Sequence, residues 1–418
     1  MVSHENVHQL DDNSSGVQQV LAELKRNLEH SLAELQRLGP ELSRSLQDDI
    51  QLPYQADMQL AAKSVDILHE IQLLLDPPAL ILADHFLVAA AESGVPDALE
   101  NGRMTVEELA KATKTKPVEL NQILRILASQ GIFVHSSESG DAYSHSPASS
   151  LIRSDHWTQW HNWISLYGNQ FYDIARGIPE SIQADASRCA AQVHFDTDEH
   201  MFAYFDRQGW LPQLHRTLGG GAAAQLPGIF EDYPWHDFDG GHVFDIGGGG
   251  GSFLAGLLRR FPALTGGVYD LPHVIEHVRP KFRGEDGEFA DVGDRVSDDN
   301  LIGGDFFQSV PSSVFYTMKW CLHDWRDDKA ITILTVIRKN IIMKPEGRLV
   351  VLESILNPGH SSRLSRYGDI NMMMTAHGQE RTLKQWYEPA EKSGWRVELV
   401  RELRRAWVKA IELRPLLN

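Results

Sequence analysis

Five consecutive glycines, Gly247–Gly251, stand between the strand-like run "HVFDI" and the amphipathic run "SFLAGLLRRFP". That order, strand then glycine turn then helix, constrains the fold more than any other feature of the chain. A flexible linker does not belong inside a strand–helix unit. Backbone that must approach a ligand closely at a helix N-terminus, by contrast, needs residues without side chains. The next run, "LTGGVYDLP", is a second strand closing on Asp270, where a carboxylate can take the hydroxyls of a bound ribose. A dinucleotide fingerprint G-x-G-x-x-G would place Ser252 at its third glycine, a poor fit. The loop by itself leaves a dinucleotide and an adenosyl cofactor both open.

Further alternation runs through "SSVFYTMKW", "KAITILTVIRKNI" and "GRLVVLESIL", and "GWRVELVRELRRAWVKAIELRP" reads as two strands joined by a short turn. Parallel β/α units that finish in an antiparallel hairpin predict an α/β, Rossmann-like doubly wound sheet over residues 240–418, its last strand inserted backwards. Residues 156–239 form a helical connector rich in aromatic residues, from Trp157, Trp160 and Trp163 through Tyr167 and Phe171 to Phe202, Tyr204, Phe205 and Trp210. Such a region is core, or the wall of a pocket for an aromatic or polyketide-like molecule. "LGGGAAAQLPG" at 218–228 is its loosest joint.

Residues 1–155 are mainly helical. Val17, Leu21, Leu24, Leu28, Leu35 and Leu38 recur at helical spacing until Gly39-Pro40 ends the pattern, and Asp76 caps a later helix with Pro77 in its first turn. Thr105 with Glu108 makes a capping box, a second helix follows Pro117, and Gly131 leads into two short strands. This is a winged-helix pattern, and winged helices often read DNA. Here the recognition helix would be "PVELNQILRILAS", with one arginine and no lysine, on a chain of formal charge −18. Such a surface repels a phosphate backbone, so the helix is a core element and no nucleic-acid partner is expected. Only Cys189 and Cys321 are present, which suits a reducing compartment. No apolar run reaches bilayer length, and a cytoplasmic protein without a membrane partner is the expectation.

The stretch "KWCLHDW" at 319–325 carries the chemistry. His323 could be a base, a packed core histidine or the relic of an old site. Hydride transfer gives no reason for a His-Asp-Trp followed by two glutamates. Proton removal from a hydroxyl does: an imidazole near its own pKa accepts the proton, and a carboxylate on its far nitrogen fixes the tautomer and stabilises the imidazolium.

"VFDIGGGGG", "YDLPHVI", "GDFFQSVP", "MKWCLHDW", "VLESIL" and "GQERT" occur in the order and spacing of the plant and fungal small-molecule O-methyltransferases. The chain thus resembles the caffeic-acid O-methyltransferase-like family over most of its length. The resemblance implies S-adenosylmethionine as cofactor. Gly247, Gly249 and Gly251 would line its methionine and ribose portions, Asp270 with Leu271 the ribose, Asp305 and Phe306 the adenine, and Lys319 would hydrogen-bond it. It also implies His323 as general base beside Asp324, flanked by Glu353 and Glu380, and a homodimer formed through residues 17–150. Met372, Met373, Met374 and His377 fall where the family contacts substrate, and Trp160, His161 and Phe205 of the aromatic connector are candidates to line the same pocket. Two departures stand out: Gly250 replaces a non-glycine residue, and Phe306 stands where plant relatives often have methionine. No acidic cluster that would hold a metal ion is evident, so none is expected. Some fungal proteins with this fold are pericyclases that cyclise a pyridone alkaloid precursor without moving a methyl group. The tryptophan-flanked His161 and the five-glycine loop keep that alternative open, and the intact His323 with both glutamates favours methyl transfer.

Overall fold

The computed structural model describes residues 5–42, 45–46, 52–75, 86–137, 140–238, 240–359 and 362–417, in two compact units, 1–61 and 62–418. The first unit holds helix α1 (Glu5–Arg37), which begins well before the expected start and stops just short of Gly39. Its stripe keeps Val17, Val20, Leu21, Leu32 and Leu35 exposed. Helix α2 (Gln55–Leu75) follows. The expected cap at Asp76 and first turn at Pro77 lie outside the described residues. No helix among the described residues is long and apolar enough to cross a membrane.

In the second unit, α3 (Phe86–Glu92) precedes a helix pair, α4 (Val106–Thr113) and α5 (Pro117–Ser129). The Thr105 hydroxyl accepts from Glu108 N and the Glu108 carboxylate accepts from Thr105 N, the reciprocal cap its sequence spells. Leu120, Leu124 and Leu127 of α5 are buried, and its one arginine, Arg125, pairs with Asp141 at 2.6 Å. Strands β1 (Met104–Thr105), β2 (Phe133–Ser136) and β3 (Ala142–His145) form a small antiparallel sheet in the order β1-β3-β2.

The large sheet comprises β4 (His242–Ile246), β5 (Thr265–Asp270), β6 (Leu301–Gly303), β7 (Phe315–Lys319), β8 (Arg348–Glu353), β9 (Trp395–Arg401) and β10 (Lys409–Pro415). Their order is β6-β5-β4-β7-β8-β10-β9; β4 to β8 pair in parallel, and β10 is antiparallel to both β8 and β9. The backward final strand is thus present. The link before it, residues 402–408, is a long loop and not a short turn. Side chains alternate between two cores, as period-two geometry requires. Val350 and Leu352 face the cluster containing Leu254 and Leu258; Leu349 and Val351 face the cluster containing Ile333, Leu334 and Ile337. With both faces covered, β8 is buried at every position, which explains the apolar run Leu349–Leu352 between its charged ends, Arg348 and Glu353.

A further expectation is overturned. Residues 218–228 are no joint: they lie inside helix α6 (Leu211–Asp232), which includes Pro227. Its small residues are there for close packing. A methyl group on Gly221 would lie 2.7 Å from the Trp163 ring, and one on Gly228 would strike the Arg404 carbonyl oxygen. Neighbouring Gln225, buried in the same helix, accepts through Oε1 from the backbone N–H groups of Trp407 and Val408. The helix therefore ties down the 402–408 loop.

Candidate active site

The carboxyl ends of β4, β5, β7 and β8 deliver the glycine loop, Asp270, Lys319 and Glu353 to one edge of the sheet, the crevice where open α/β sheets bind ligands. The loop turns through left-handed conformations at Gly247, Gly249 and Gly251, with φ of 67°, 52° and 79°, and enters helix α7 (Ser252–Arg260). Asp270 holds it from below: one oxygen accepts from Gly249 N at 2.8 Å and the other from Leu271 N at 2.7 Å. Burial raises the Asp270 carboxyl above the usual range, against those two N–H groups. A methyl group added at Gly249 would meet no other atom within 4 Å, and one at Gly250 would meet only Lys281 Nζ, at 3.7 Å. The loop is thus an open, backbone-lined cradle, as a close-approaching adenosyl ligand needs. Gly250 is the one glycine of the run that neither backbone conformation nor crowding demands.

Beneath the loop lies Asp245, 2% exposed, whose Oδ1 accepts from the Thr317 hydroxyl at 2.8 Å. Burial pushes it up to about 7, opposed by Thr317 and Lys319. Lys319 is pulled down to about 8 by burial, opposed by Asp245 and Glu353, and its Nζ sits 4.2 Å from the centroid of the Trp320 ring. Phe306 packs beside Gly247 and against Phe307, and Asp305 accepts from Phe307 N at 2.9 Å.

His323 rides on a single 3-10 turn, Leu322–Asp324, just beyond β7. Its Nδ1 lies 2.8 Å from Glu380 Oε1 and 3.4 Å from Glu353 Oε2; its Nε2 lies 3.8 Å from Asp324 Oδ1. Glu353 is fully buried, and its Oε1 accepts from the N–H groups of Cys321 and Leu322, both at 2.8 Å. Neither glutamate is a surface ion pair. Burial alone would depress His323, but the carboxylates of Glu353 and Glu380 outweigh it and raise the imidazole to about 10. An imidazole near its ordinary value, the expectation from sequence, is therefore corrected upward. Burial raises Glu380, against the hydrogen bond from His323, and lifts Asp324 to about 6. Folding also assembles the acidic cluster that the sequence left unseen: one ligand atom from each of His323, Glu353 and Glu380 lies within 4.8 Å of the others. One hydrogen bond, between Nδ1 and Glu380 Oε1, and one buried carboxylate oxygen beside it, Glu353 Oε2, which has no hydrogen-bond partner among the described residues, face the same ring nitrogen, which is an arrangement for holding a proton.

Aromatic rings continue from this edge. Trp320, at φ 51°, stacks on Trp407 with centroids 5.8 Å apart, and Trp407 meets Trp160 at 5.6 Å and Trp163 at 5.2 Å. All four indoles keep part of their surface open, unlike the core residues Trp235, Trp386 and Trp395. A bulky residue at positive φ stores roughly 1–3 kcal/mol of strain, a frequent mark of functional sites. His161, on the connector helix Trp160–Leu166, has a buried Nδ1 without a hydrogen-bond partner among the described residues. Met372 and Met373 are half-buried on the helix Arg363–Ala376, and His377 ends it, its Nε2 3.1 Å from Gln192 Oε1. Phe205 is fully buried against Phe171 and Trp210, so it backs the aromatic wall and does not form its surface. Neither Asp245 nor Trp407 stood out in the sequence. Asp245 had a signal, an acid ending a buried strand before the glycines; Trp407, in a remote loop, had none.

Residues 236–396 match the family model of an O-methyltransferase domain and residues 80–155 that of an O-methyltransferase dimerisation domain. The O-methyltransferase aclM of Aspergillus oryzae is 52% identical over 385 residues, covering 90% of this chain and 89% of that protein. The O-methyltransferase verK of Clonostachys rogersoniana is 46% identical, covering 90% and 94%. Among solved structures, CalO1, a methyltransferase in calicheamicin biosynthesis solved with S-adenosylhomocysteine bound, superposes with a TM-score of 0.68 at 26% identity, covering 79% of this chain and 93% of that one.

Proposed function

The chain belongs to the S-adenosylmethionine-dependent O-methyltransferase family, and from that premise we propose that it methylates a hydroxyl of a small aromatic or polyketide-like secondary metabolite with His323 as general base. The observation that carries the proposal is the pair of carboxylates on one imidazole nitrogen, Glu380 at 2.8 Å and Glu353 at 3.4 Å from Nδ1.

When bound, the cofactor supplies an electrophilic methyl group on a sulfonium. The open face of Gly247–Gly251, the carboxylate of Asp270 with Leu271, Asp305, Phe306 and Lys319 are the groups that would hold it. Nδ1 keeps its proton between the glutamates, which leaves Nε2 to take the proton from the acceptor hydroxyl. Positive charge then developing on the ring is met by two carboxylates already in place, so no reorganisation is needed as the proton moves. The His323 side chain is only 12% exposed, which keeps bulk water from competing for that proton. Trp160, Trp163, Trp320 and Trp407, with Met372 and Met373, would bound the acceptor; flat rings and adaptable thioethers suit a planar, largely apolar molecule. The place of CalO1 in calicheamicin biosynthesis supports a secondary-metabolite substrate.

We also read the chain as a homodimer. The matched dimerisation domain and the exposed apolar stripe of α1 support this, and light scattering tests it. For the chemistry, the test is His323→Ala assayed against a panel of aromatic hydroxyl compounds. Turnover should be lost while S-adenosylmethionine still binds. Retained turnover in that variant would reject His323 as the base.

A further inference from the structure

Arg381 has no part in the chemistry above, yet its side chain is 1% exposed and directed at the turn that carries His323. We propose that Arg381 is a positioning residue: together with Asp327 and Gln379 it clamps the His323 turn so that Nδ1 meets both glutamates. The proposal rests on the reading of His323 as the base.

Its guanidinium donates from Nη1 to the Leu322 carbonyl at 3.1 Å and from Nη2 to the Trp325 carbonyl at 2.7 Å. Those two carbonyls bracket His323 and Asp324. The third side of the fork, Nε, donates to Asp327 Oδ1 at 2.8 Å. Between the brackets, the His323 carbonyl accepts from Gln379 N at 2.8 Å, and the Gln379 side-chain amide returns to Asp327 Oδ1 at 2.7 Å. Gly378 completes the contact: a methyl group there would collide with the His323 carbonyl oxygen. Segment 378–381 thus touches the base turn along its whole length, and the same segment supplies Glu380, whose own N–H is fixed by Asp369 Oδ1 at 2.8 Å. Clamp and carboxylate move as one piece.

A buried cation is an expensive way to gain stability alone, because apolar side chains of similar volume commonly do as well. What a guanidinium adds is a planar fork that reaches two carbonyls and a carboxylate at once, and an ammonium cannot copy it. The ionisable groups facing His323 are Glu353 from β8, Glu380 from the clamp segment and Asp324 beside it. Loosening the clamp lengthens the Glu380 contact and should make the imidazole easier to deprotonate.

The experiment uses the full-length chain and Arg381→Lys, with Asp327→Asn as the milder variant at a half-exposed position. The His323 imidazole is titrated by its NMR signal, identified by its loss in His323→Ala, and kcat and KM are measured alongside. For Arg381→Lys the midpoint should fall by about one pH unit, and above both midpoints, where the ring is neutral in either chain, kcat should fall by about tenfold or more, with KM for both substrates within about twofold. Asp327→Asn should shift the midpoint the same way by less, and it decides the matter if Arg381→Lys does not fold. Variants that fold normally with midpoint and kcat unchanged overturn the clamp. Retained turnover in His323→Ala would instead overturn the base, and the NMR midpoint would still report on the clamp.

Discussion

Replacing Glu380 by glutamine removes one of the two negative charges that face His323 Nδ1, the nearer at 2.8 Å, and leaves Glu353 at 3.4 Å. At an effective dielectric of about 20, an ion pair at this range is worth on the order of 4 kcal/mol. Part of that is recovered, because Glu353 can take the Nδ1 proton and glutamine can still accept a hydrogen bond. Burial goes on favouring the neutral ring. The net expectation is a fall in the imidazole's pKa of about one to three pH units from its present value of about 10. The sign follows from the mechanism: only the ring with a free Nε2 can accept a proton, so kcat/KM should rise with pH toward about 10 in the wild-type chain. In Glu380→Gln the same limb should lie at lower pH. The acceptor hydroxyl titrates identically with both enzymes, so a difference between the two profiles belongs to the protein. At high pH the variant should also be slower, because its imidazolium is less stabilised. The assay is the initial rate of O-methyl product formation from about pH 6 to about 10.5, an interval chosen to bracket the wild-type limb. A wild-type profile that is flat over this range, or a Glu380→Gln limb unmoved or shifted to higher pH, would refute the reasoning.

Gly250→Ala should leave S-adenosylmethionine affinity within about twofold, since only Lys281 Nζ lies near the new methyl. Gly247→Ala, at φ 67° with Cys321 Sγ 3.0 Å from the new methyl, should weaken binding by about tenfold or more in titration calorimetry. Trp407→Ala should raise the acceptor KM by about tenfold through loss of three indole contacts, with cofactor affinity unchanged; an unchanged acceptor KM would remove Trp407 from the pocket wall. Gly228→Ala pushes a methyl into the Arg404 carbonyl and should cost about 1–3 kcal/mol in urea unfolding.

The glycine loop and Asp270 were legible as a helix start and a strand end, and His323 as the histidine of a short turn just beyond a strand, because local text carries that information; the role of Lys319 came from the resemblance. Glu353 and Glu380 were found by resemblance; their convergence on one ring nitrogen is a tertiary fact that spacing along the chain does not encode. For the same reason the acidic cluster and the upward shift of His323 were missed: both need three segments brought within hydrogen-bonding distance. The run 218–228 misled because glycine usually weakens helices. Here Gly221 and Gly228 sit where Trp163 and Arg404 come too close for any side chain, so packing overrides propensity. Trp407 was invisible because its place depends on Gln225, which lies far back in the chain and holds the loop by its backbone.

The most direct test of methyl transfer is stoichiometric. The chain is incubated with S-adenosylmethionine labelled in its methyl group and an aromatic hydroxyl acceptor, and both products are quantified together. Labelled O-methyl product and S-adenosylhomocysteine should appear one for one. An acceptor that is cyclised or otherwise transformed while the labelled cofactor remains intact would contradict methyl transfer.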